Sequence, residues 1–452
     1  MPVRRMVRVV EASERLVVEF PWAARNRALF KEKFGVDAAE VAWTVTRADT
    51  PVASGTLGDD LRVEVELADV PSGVLELRLR ARRKQIWRQS IFSQRKLART
   101  PEEIDALANR WAPILLFSPR EQYFPLGLES LVESPEVRES KDHVKVKTVF
   151  GRERIPLSEL SEFLRYNGHA DYLLDQSAFD AQKVFDRVHG DFQHSCVYYS
   201  WIEEDGVGFL NFHTFYAFDP KTGVSKLFKI GPHVFDRESL TFVFPPGSDA
   251  PSSLVLSAHL EGQTILYFDS LKLWTSGRVK MPLPDPLVAD VAGHVVVPVA
   301  EGSHALYPAP GLYHISVLTE LAGHVLGSLA TLLKLEGEHE DALQPHQVLV
   351  PPNLRSSRFS SYTLRPLRLD LLRSEPLPPG PLYDPATSVL SFSGFWVDVP
   401  GLKNERFPPF SSRETHPGAW FDKAYEWDWG QLPEAVVAHN KDIADRIATE
   451  IG

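Results

Sequence analysis

Short runs in which apolar and polar residues alternate, each closed by a turn signal, constrain this chain more than any other feature. Leu16-Val-Val-Glu-Phe20, Val41-Ala-Trp-Thr-Val-Thr46 and Leu61-Arg-Val-Glu-Val-Glu-Leu67 are separated by signals such as Leu57-Gly-Asp-Asp60 and Pro71-Ser-Gly73. A period of two sends successive side chains to opposite faces of a pleated strand, whereas a helix needs a period near 3.6. Residues 1–85 therefore predict a small β-sandwich, and nothing in them looks catalytic. Proline is abundant (35 residues) and aromatics reach 11%, which extends the expectation of short strands and ordered loops to the whole chain.

The rest of the sequence alternates strand signals with a few helical ones. Thr100-Pro101-Glu102-Glu103 combines a hydroxyl cap, a proline at the first helical position and a carboxylate at the third, and predicts a helix to about Arg110. Trp111 to Pro125 reads as an apolar strand ending in proline-rich turns, and it opens the main domain. Leu157, Leu160, Phe163 and Leu164 are spaced for one helical face between Pro156 and Phe185. Ser195–Ile202 and Gly208–Phe218 predict a hairpin around Glu203-Glu-Asp-Gly206, closed by Asp219-Pro220. Further strand signals lie at Ser253–His259, Thr264–Phe268 and Val295–Val299.

Leu312–Leu335 is the longest apolar stretch, with a helical stripe of Leu318, Leu321, Val325, Leu329 and Leu332. His314, Glu320, His324 and Lys334 interrupt it, so a packed or interface helix is favoured over a membrane span. Pro351–Pro381 reads as an extended strap, and Gln431–Ile451 as an amphipathic helix. The fold class is mainly β: a small N-terminal β-sandwich, then a larger β-sandwich domain with peripheral helices. The expected organisation is an accessory module over 1–88, a basic linker and short helix over 89–107, a β-sandwich carrying the site over 108–311, and a helix, proline-rich strap and C-terminal helix over 312–452.

Composition narrows the function classes. One cysteine, Cys196, excludes an intramolecular disulfide framework and any multi-thiolate metal centre, so a metal would need histidine and carboxylate ligands. The charged N-terminus has no secretory apolar core, which makes a cytoplasmic location the default expectation. A net charge of −11 argues against a general nucleic-acid binder. Arg78 to Arg99 nevertheless holds nine Lys and Arg and no Asp or Glu, interleaved with Ile86, Trp87, Ile91 and Phe92. That run suits peripheral association with an anionic membrane surface, or simply a solvated strand face.

Chemistry concentrates between Leu210 and Val243. His233, Asp236 and Glu238 fall within six residues, Asp219 precedes them, and the chain then turns apolar and β-branched. Asp236 and Glu238, two apart, share one face of a strand, and Gly231-Pro232 can turn His233 towards them. An oxygen-rich donor set of this kind suits Mg, Ca or Mn rather than structural zinc. By spacing alone, a solvated loop with a satisfied histidine explains the same residues. His259 and His304 each sit where a strand gives way to a loop.

Five fragments occur in order: Trp111-Ala-Pro-Ile through Tyr123-Phe-Pro, Phe215-Tyr-Ala-Phe-Asp219, His233-x-x-Asp236-x-Glu238, Ser257-Ala-His259, and Gly302-Ser-His304-Ala-x-Tyr-Pro308-x-Pro-Gly311. Together they resemble the vacuolar protein sorting-associated protein 62 family over about residues 108–311. The central motif is also similar to that of the necrosis- and ethylene-inducing-peptide-like cytolysins. The resemblance implies a hydrated divalent cation held by Asp219, His233, Asp236 and Glu238 at the edge of a β-sandwich, with His259 and His304 as neighbouring or water-holding groups. It also implies recognition of a glycan or lipid headgroup. The sequence departs from both families where a tryptophan usually follows the aspartate: Arg237 stands there, with Phe235 before the aspartate. Cytolysis, a property of secreted and disulfide-bonded proteins, is not carried across.

The leading expectation is therefore a divalent-metal-dependent protein that binds a polar headgroup, glycan or lipid, at a β-sandwich cleft. One alternative is a metal-dependent hydrolase with His259 or His304 as general base. Another is a structural or assembly protein. No Gly-x-Ser-x-Gly elbow, P-loop, dinucleotide fingerprint or His-Glu-x-x-His motif supports other enzyme classes. The sequence assigns neither a catalytic residue nor an oligomeric state.

Overall fold

The computed structural model describes residues 8–12, 15–19, 31, 35–47, 50–66, 73–93, 97–127, 138–140, 143–148, 151–156, 173–174, 195–204, 206–219, 233–258, 262–267, 272–275, 290–302, 304, 306, 312–314, 336–339, 347–354, 356, 358–367 and 434–451. Strands dominate these residues, as the alternation predicts.

Two antiparallel sheets come from the N-terminal part. β1 (Arg8–Ala12), β2 (Arg15–Glu19) and β5 (Arg62–Glu66) form the first. β4 (Thr50–Thr56), β3 (Val41–Arg47), β6 (Gly73–Ala81) and β7 (Lys84–Ser93) form the second, in that order. Val63 and Val65 on β5 and Leu75, Leu77 and Leu79 on β6 are buried, while Arg62, Glu64 and Glu66 are exposed. This is the period-two signal of the sequence realised as burial. Three described members of the basic run meet carboxylates: Arg78 pairs with Glu76, Arg82 with Glu40, and Arg99 Nη1 with Asp249 Oδ1 at 2.7 Å.

A small sheet of β9 (Arg138–Ser140), β10 (His143–Thr148), β11 (Gly151–Pro156) and β12 (Leu173–Leu174) precedes the main body. The helical face read at 157–164 lies outside the described residues, and within the predicted helical stretch Leu173–Leu174 pairs with β10 as a strand.

Two larger sheets enclose the main core. The seven-stranded sheet runs β18 (Lys272–Thr275), β17 (Gly262–Tyr267), β16 (Ser253–Ala258), β15 (His233–Phe244), β14 (Val207–Asp219), β13 (Cys196–Glu204) and β25 (Thr363–Pro366). All its pairings are antiparallel except β13 with β25. The predicted hairpin is β13–β14, and Gly206 supplies the left-handed turn conformation at φ 80°. Part of the proline-rich strap is thus an edge strand, with Pro366 at the strand end where a missing N–H does least damage. The five-stranded sheet runs β19 (Asp290–Val291), β20 (His294–Val299), β8 (Ile114–Phe117), β23 (Gln347–Val350) and β24 (Ser360–Ser361).

The core between these sheets joins Leu210, Phe212, Tyr216, Leu240, Phe242 and Phe244 to Leu115, Phe117, Val297 and Leu349. Helix α1 (Pro101–Trp111) closes it with Ile104, Leu107 and Ala108. Its predicted capping box is present: Thr100 Oγ1 accepts from Glu103 N at 3.3 Å, and Glu103 Oε2 accepts from Thr100 N at 2.7 Å. On the outer face of the five-stranded sheet, Ile114, Leu116, Val296, Val348 and Val350 pack with Ala444 and Ile447 of helix α2 (Glu434–Ile451). β8 is therefore buried on both faces, which explains its unbroken apolar run Ile-Leu-Leu-Phe.

The apolar stretch from Leu312 begins differently from its expected helix. Strand β21 (Leu312–His314) pairs with β22 (Glu336–His339), because these three residues precede the helical stripe, whose members lie outside the described residues.

Candidate functional site

β14 and β15 are the longest strands of the main sheet, and their shared register positions every residue of the sequence motif. Asp219, the last residue of β14, stands directly opposite His233, the first residue of β15. Asp236 is opposite Tyr216, and Glu238 is opposite Thr214. All four positions thus fall at one end of one two-stranded ribbon. His233 is part of the strand itself rather than of an approach loop.

Register also sorts the four. Side chains alternate between faces along a strand, and directly opposed residues share a face. Asp219 and His233 belong to one face, and Asp236 and Glu238 to the other, the core face that carries Tyr216. Directly opposed Cβ atoms in an antiparallel pair lie about 4.5–5.5 Å apart. The register makes Asp219 and His233 directly opposed strand positions. Glu238 is buried at 1% exposure. His259 lies outside the described residues.

His304 is fully buried and adopts a left-handed backbone at φ 59°, in the turn after β20. Its imidazole stacks on Tyr216 with centroids 3.8 Å apart and planes 5° from parallel. Since Tyr216 is opposite Asp236, His304 reaches the rung of Asp236 across one aromatic ring. Its Nε2 lies 3.7 Å from Glu121 Oε1.

Glu121 is the residue that sequence reasoning missed. Its Oε1 accepts from Gln122 N and Tyr123 N, both at 2.8 Å, and its Oε2 accepts from Gly302 N at 2.8 Å. One buried carboxylate thereby ties the turn after β8 to the turn after β20. Burial raises its pKa, but His304 and the Gly302 and Tyr123 amides outweigh burial and hold it below the ordinary 4.5. Gln347 adds a third strand by donating to Ser118 O at 3.2 Å and Glu121 O at 3.3 Å. An acidic residue inside an otherwise apolar and proline-rich stretch was the available signal.

The opposite face of the same ribbon carries buried polar residues beside the buried Phe209 and Phe215. Ser200 Oγ lies 3.2 Å from His213 Nε2, and Thr241 Oγ1 donates to Asn211 Oδ1 at 2.5 Å. Arg237 and Ser239 share this face, with Ser239 opposite His213. Burial, and then the charge of Arg237, push the His213 pKa well below its usual value, so its imidazole is neutral. Among the described residues, no group of three or more His, Cys, Asp or Glu side chains converges as a metal site.

No family model matches the chain, and no curated protein matches it. Solved structures with distant similarity include Necrosis and Ethylene inducing Protein 2 from the causal agent of cocoa's Witches Broom disease, at 15% identity and a TM-score of 0.24, covering 48% of this chain and 70% of that one. NLPPya in complex with mannosamine overlaps at 16% identity and a TM-score of 0.22, over 48% of this chain and 70% of that one. NLPPya in complex with glucosamine gives 16% identity and a TM-score of 0.23, over 48% and 71%. Overlap this slight carries no functional argument.

Proposed function

We propose that the protein binds a divalent cation at the end of the β14–β15 ribbon where Asp219 pairs with His233, and uses it to recognise a polar headgroup, of a glycan or a lipid. The observation that carries this reading is the register pairing of Asp219 with His233. A carboxylate and an imidazole on adjacent strands supply two donors without any long loop having to order, and an exchangeable cation with remaining water ligands suits hydroxyl or phosphate oxygens. Asp236 and Glu238 follow His233 by three and five residues, odd offsets that put them on the other face of the strand, so the proposed ion rests on the Asp219–His233 rung. The resemblance of the motif residues to the cytolysin pattern supports the same assignment. When bound, the ion would supply a Lewis-acidic anchor for oxygen atoms of the ligand.

The hydrolase reading gains no support from His304, whose ring is enclosed between Tyr216 and Glu121. Among the described residues, no helix is long and apolar enough to cross a membrane.

Calorimetric titration of Mg, Ca and Mn into chelator-stripped protein tests the proposal. One saturable site is expected, lost in Asp219→Asn and in His233→Ala. The reading fails if no ion binds the wild type, or if the double variant binds as the wild type does. Titration of glucosamine with and without the bound metal then reads headgroup recognition.

A further inference from the structure

The sheet β4–β3–β6–β7 buries one face and leaves the other open, and the two differ in side-chain size as well as polarity. Val41, Val45, Leu77 and Leu79 belong to the buried face. Two rungs cross the other: Thr56, Ala42 and Arg80 stand side by side, and then Ser54, Thr44 and Arg78. Thr56, Ala42, Ser54 and Arg80 are exposed, and Thr44 and Arg78 are half-buried. Short side chains on β3 and β4 make this face shallow, while arginines on β6 give it charge. Neither rung carries Asp or Glu, and Arg78 is engaged by Glu76 of its own strand. The β6–β7 hairpin carries the charge further. Arg82 and Arg83 form its tip at φ 47° and 70°, left-handed positions that ordinarily favour asparagine and glycine, and Lys84 follows them. All three are exposed. Arg82 Nη2 meets Glu40 Oε2 at 3.4 Å, whereas Arg80, Arg83 and Lys84 form no ion pair among the described residues.

We infer that this face and its hairpin tip dock on an anionic phospholipid bilayer. The chain as a whole carries a net charge of −11 and is repelled by such a surface, so attraction has to be local, and here exposed cations outnumber carboxylates. Arginine forks and the hydroxyls of Ser54 and Thr56 both donate to phosphate oxygens. The shape of the face selects the bilayer from other polyanions. An acidic peptide is gripped by a groove or added to a sheet edge, and a shallow face of short side chains is neither. Single-stranded nucleic acid stacks its bases on aromatic rings, and neither rung offers one, since Trp43 belongs to the other face, opposite Leu79. A flat array of headgroups asks only for flat, positively charged contact.

Co-sedimentation of the full chain with lipid vesicles in the presence of a chelator tests the inference. Vesicles of phosphatidylcholine containing about one-third phosphatidylserine should bind the protein, vesicles of phosphatidylcholine alone should not, and added salt should release it. Arg80→Gln, Arg83→Gln and Lys84→Gln should each weaken partitioning about fivefold, and the triple variant about a hundredfold. These side chains are exposed, so the variants keep the fold, which circular dichroism checks. Arg446→Gln, at an exposed position of α2, should bind as the wild type does. The inference is overturned if the wild type ignores the phosphatidylserine vesicles, if the triple variant binds them unchanged, or if Arg446→Gln costs as much as the hairpin variants. Tighter binding to polyglutamate or to polyuridylate than to the vesicles, read by fluorescence anisotropy, overturns the choice of a bilayer. Because the assay is free of metal and glycan, its outcome is independent of the cation proposed at Asp219 and His233.

Discussion

Removing the Glu121 carboxylate isolates the physical link between the two turns that flank the candidate site. Glu121→Ala leaves the buried Tyr123 N and Gly302 N donors, each now bonded at 2.8 Å, without an acceptor. An orphaned buried donor costs roughly 1–3 kcal/mol, so the two together predict a loss of about 2–6 kcal/mol. Glu121→Gln keeps one acceptor oxygen but turns an amide N–H2 towards one of the backbone donors, and should fall between the wild type and alanine. The effect has a definite pH signature. The folded pKa of Glu121 is depressed below 4.5, so its ionisation contributes stability that is fully present above about 4.5 and is lost as pH falls through the lower folded value. The wild type should therefore exceed Glu121→Gln by a constant margin near neutrality, and by a shrinking margin in acid. Urea denaturation followed by tryptophan fluorescence between pH 7 and pH 3 measures both, since Trp111 and Trp201 pack on Phe244 of the same core. An alanine variant within about 1 kcal/mol of the wild type would refute the reasoning, because surface substitutions already span that range. A margin that does not change with pH would refute the electrostatic part alone.

Three further outcomes follow from the geometry. Thr100→Ala should destabilise α1 by about 1 kcal/mol through loss of the cap, with Thr100→Ser restoring most of it; thermal melts of the three proteins check this. Gly208→Ala should cost about 1–3 kcal/mol, because an added Cβ overlaps the Trp201 ring, which Glu203 Oε1 and Phe244 hold in place; loss of near-ultraviolet circular dichroism together with a lowered urea midpoint is the expected readout. In metal titrations, Asp219→Asn should weaken binding more than Glu238→Gln. Asp219 and His233 share a rung, whereas Glu238 lies on the core face at 1% exposure. Equal losses in the two variants would show that all four ligands act alike.

Much of the strand inventory is readable from local pattern. Alternation and turn residues foretell β2, β3, β5 and the β13–β14 hairpin, because burial of one face requires a period of two and a tight turn requires a residue such as Gly206. The Thr100 capping box is equally local, its partners three residues apart. The apolar stretch after Leu312 shows the limit: its periodicity says helix from Leu318 onward, but the entry residues pair with a segment more than twenty residues away. No local pattern encodes such a pairing.

The sequence by itself determined which ligand-type residues lie close along the chain: Asp219, His233, Asp236 and Glu238 fall within twenty positions. Tertiary structure decided how they are grouped. Strand register, a property of two strands together, opposed Asp219 to His233 and sent Glu238 to the core side. It likewise brought Glu121 to Gly302 and His304 across 181 residues of chain, and placed Ser200 against His213 beside Arg237. These contacts depend on which faces two sheets bury against each other, and that choice is made by the packed core rather than by any one stretch of residues.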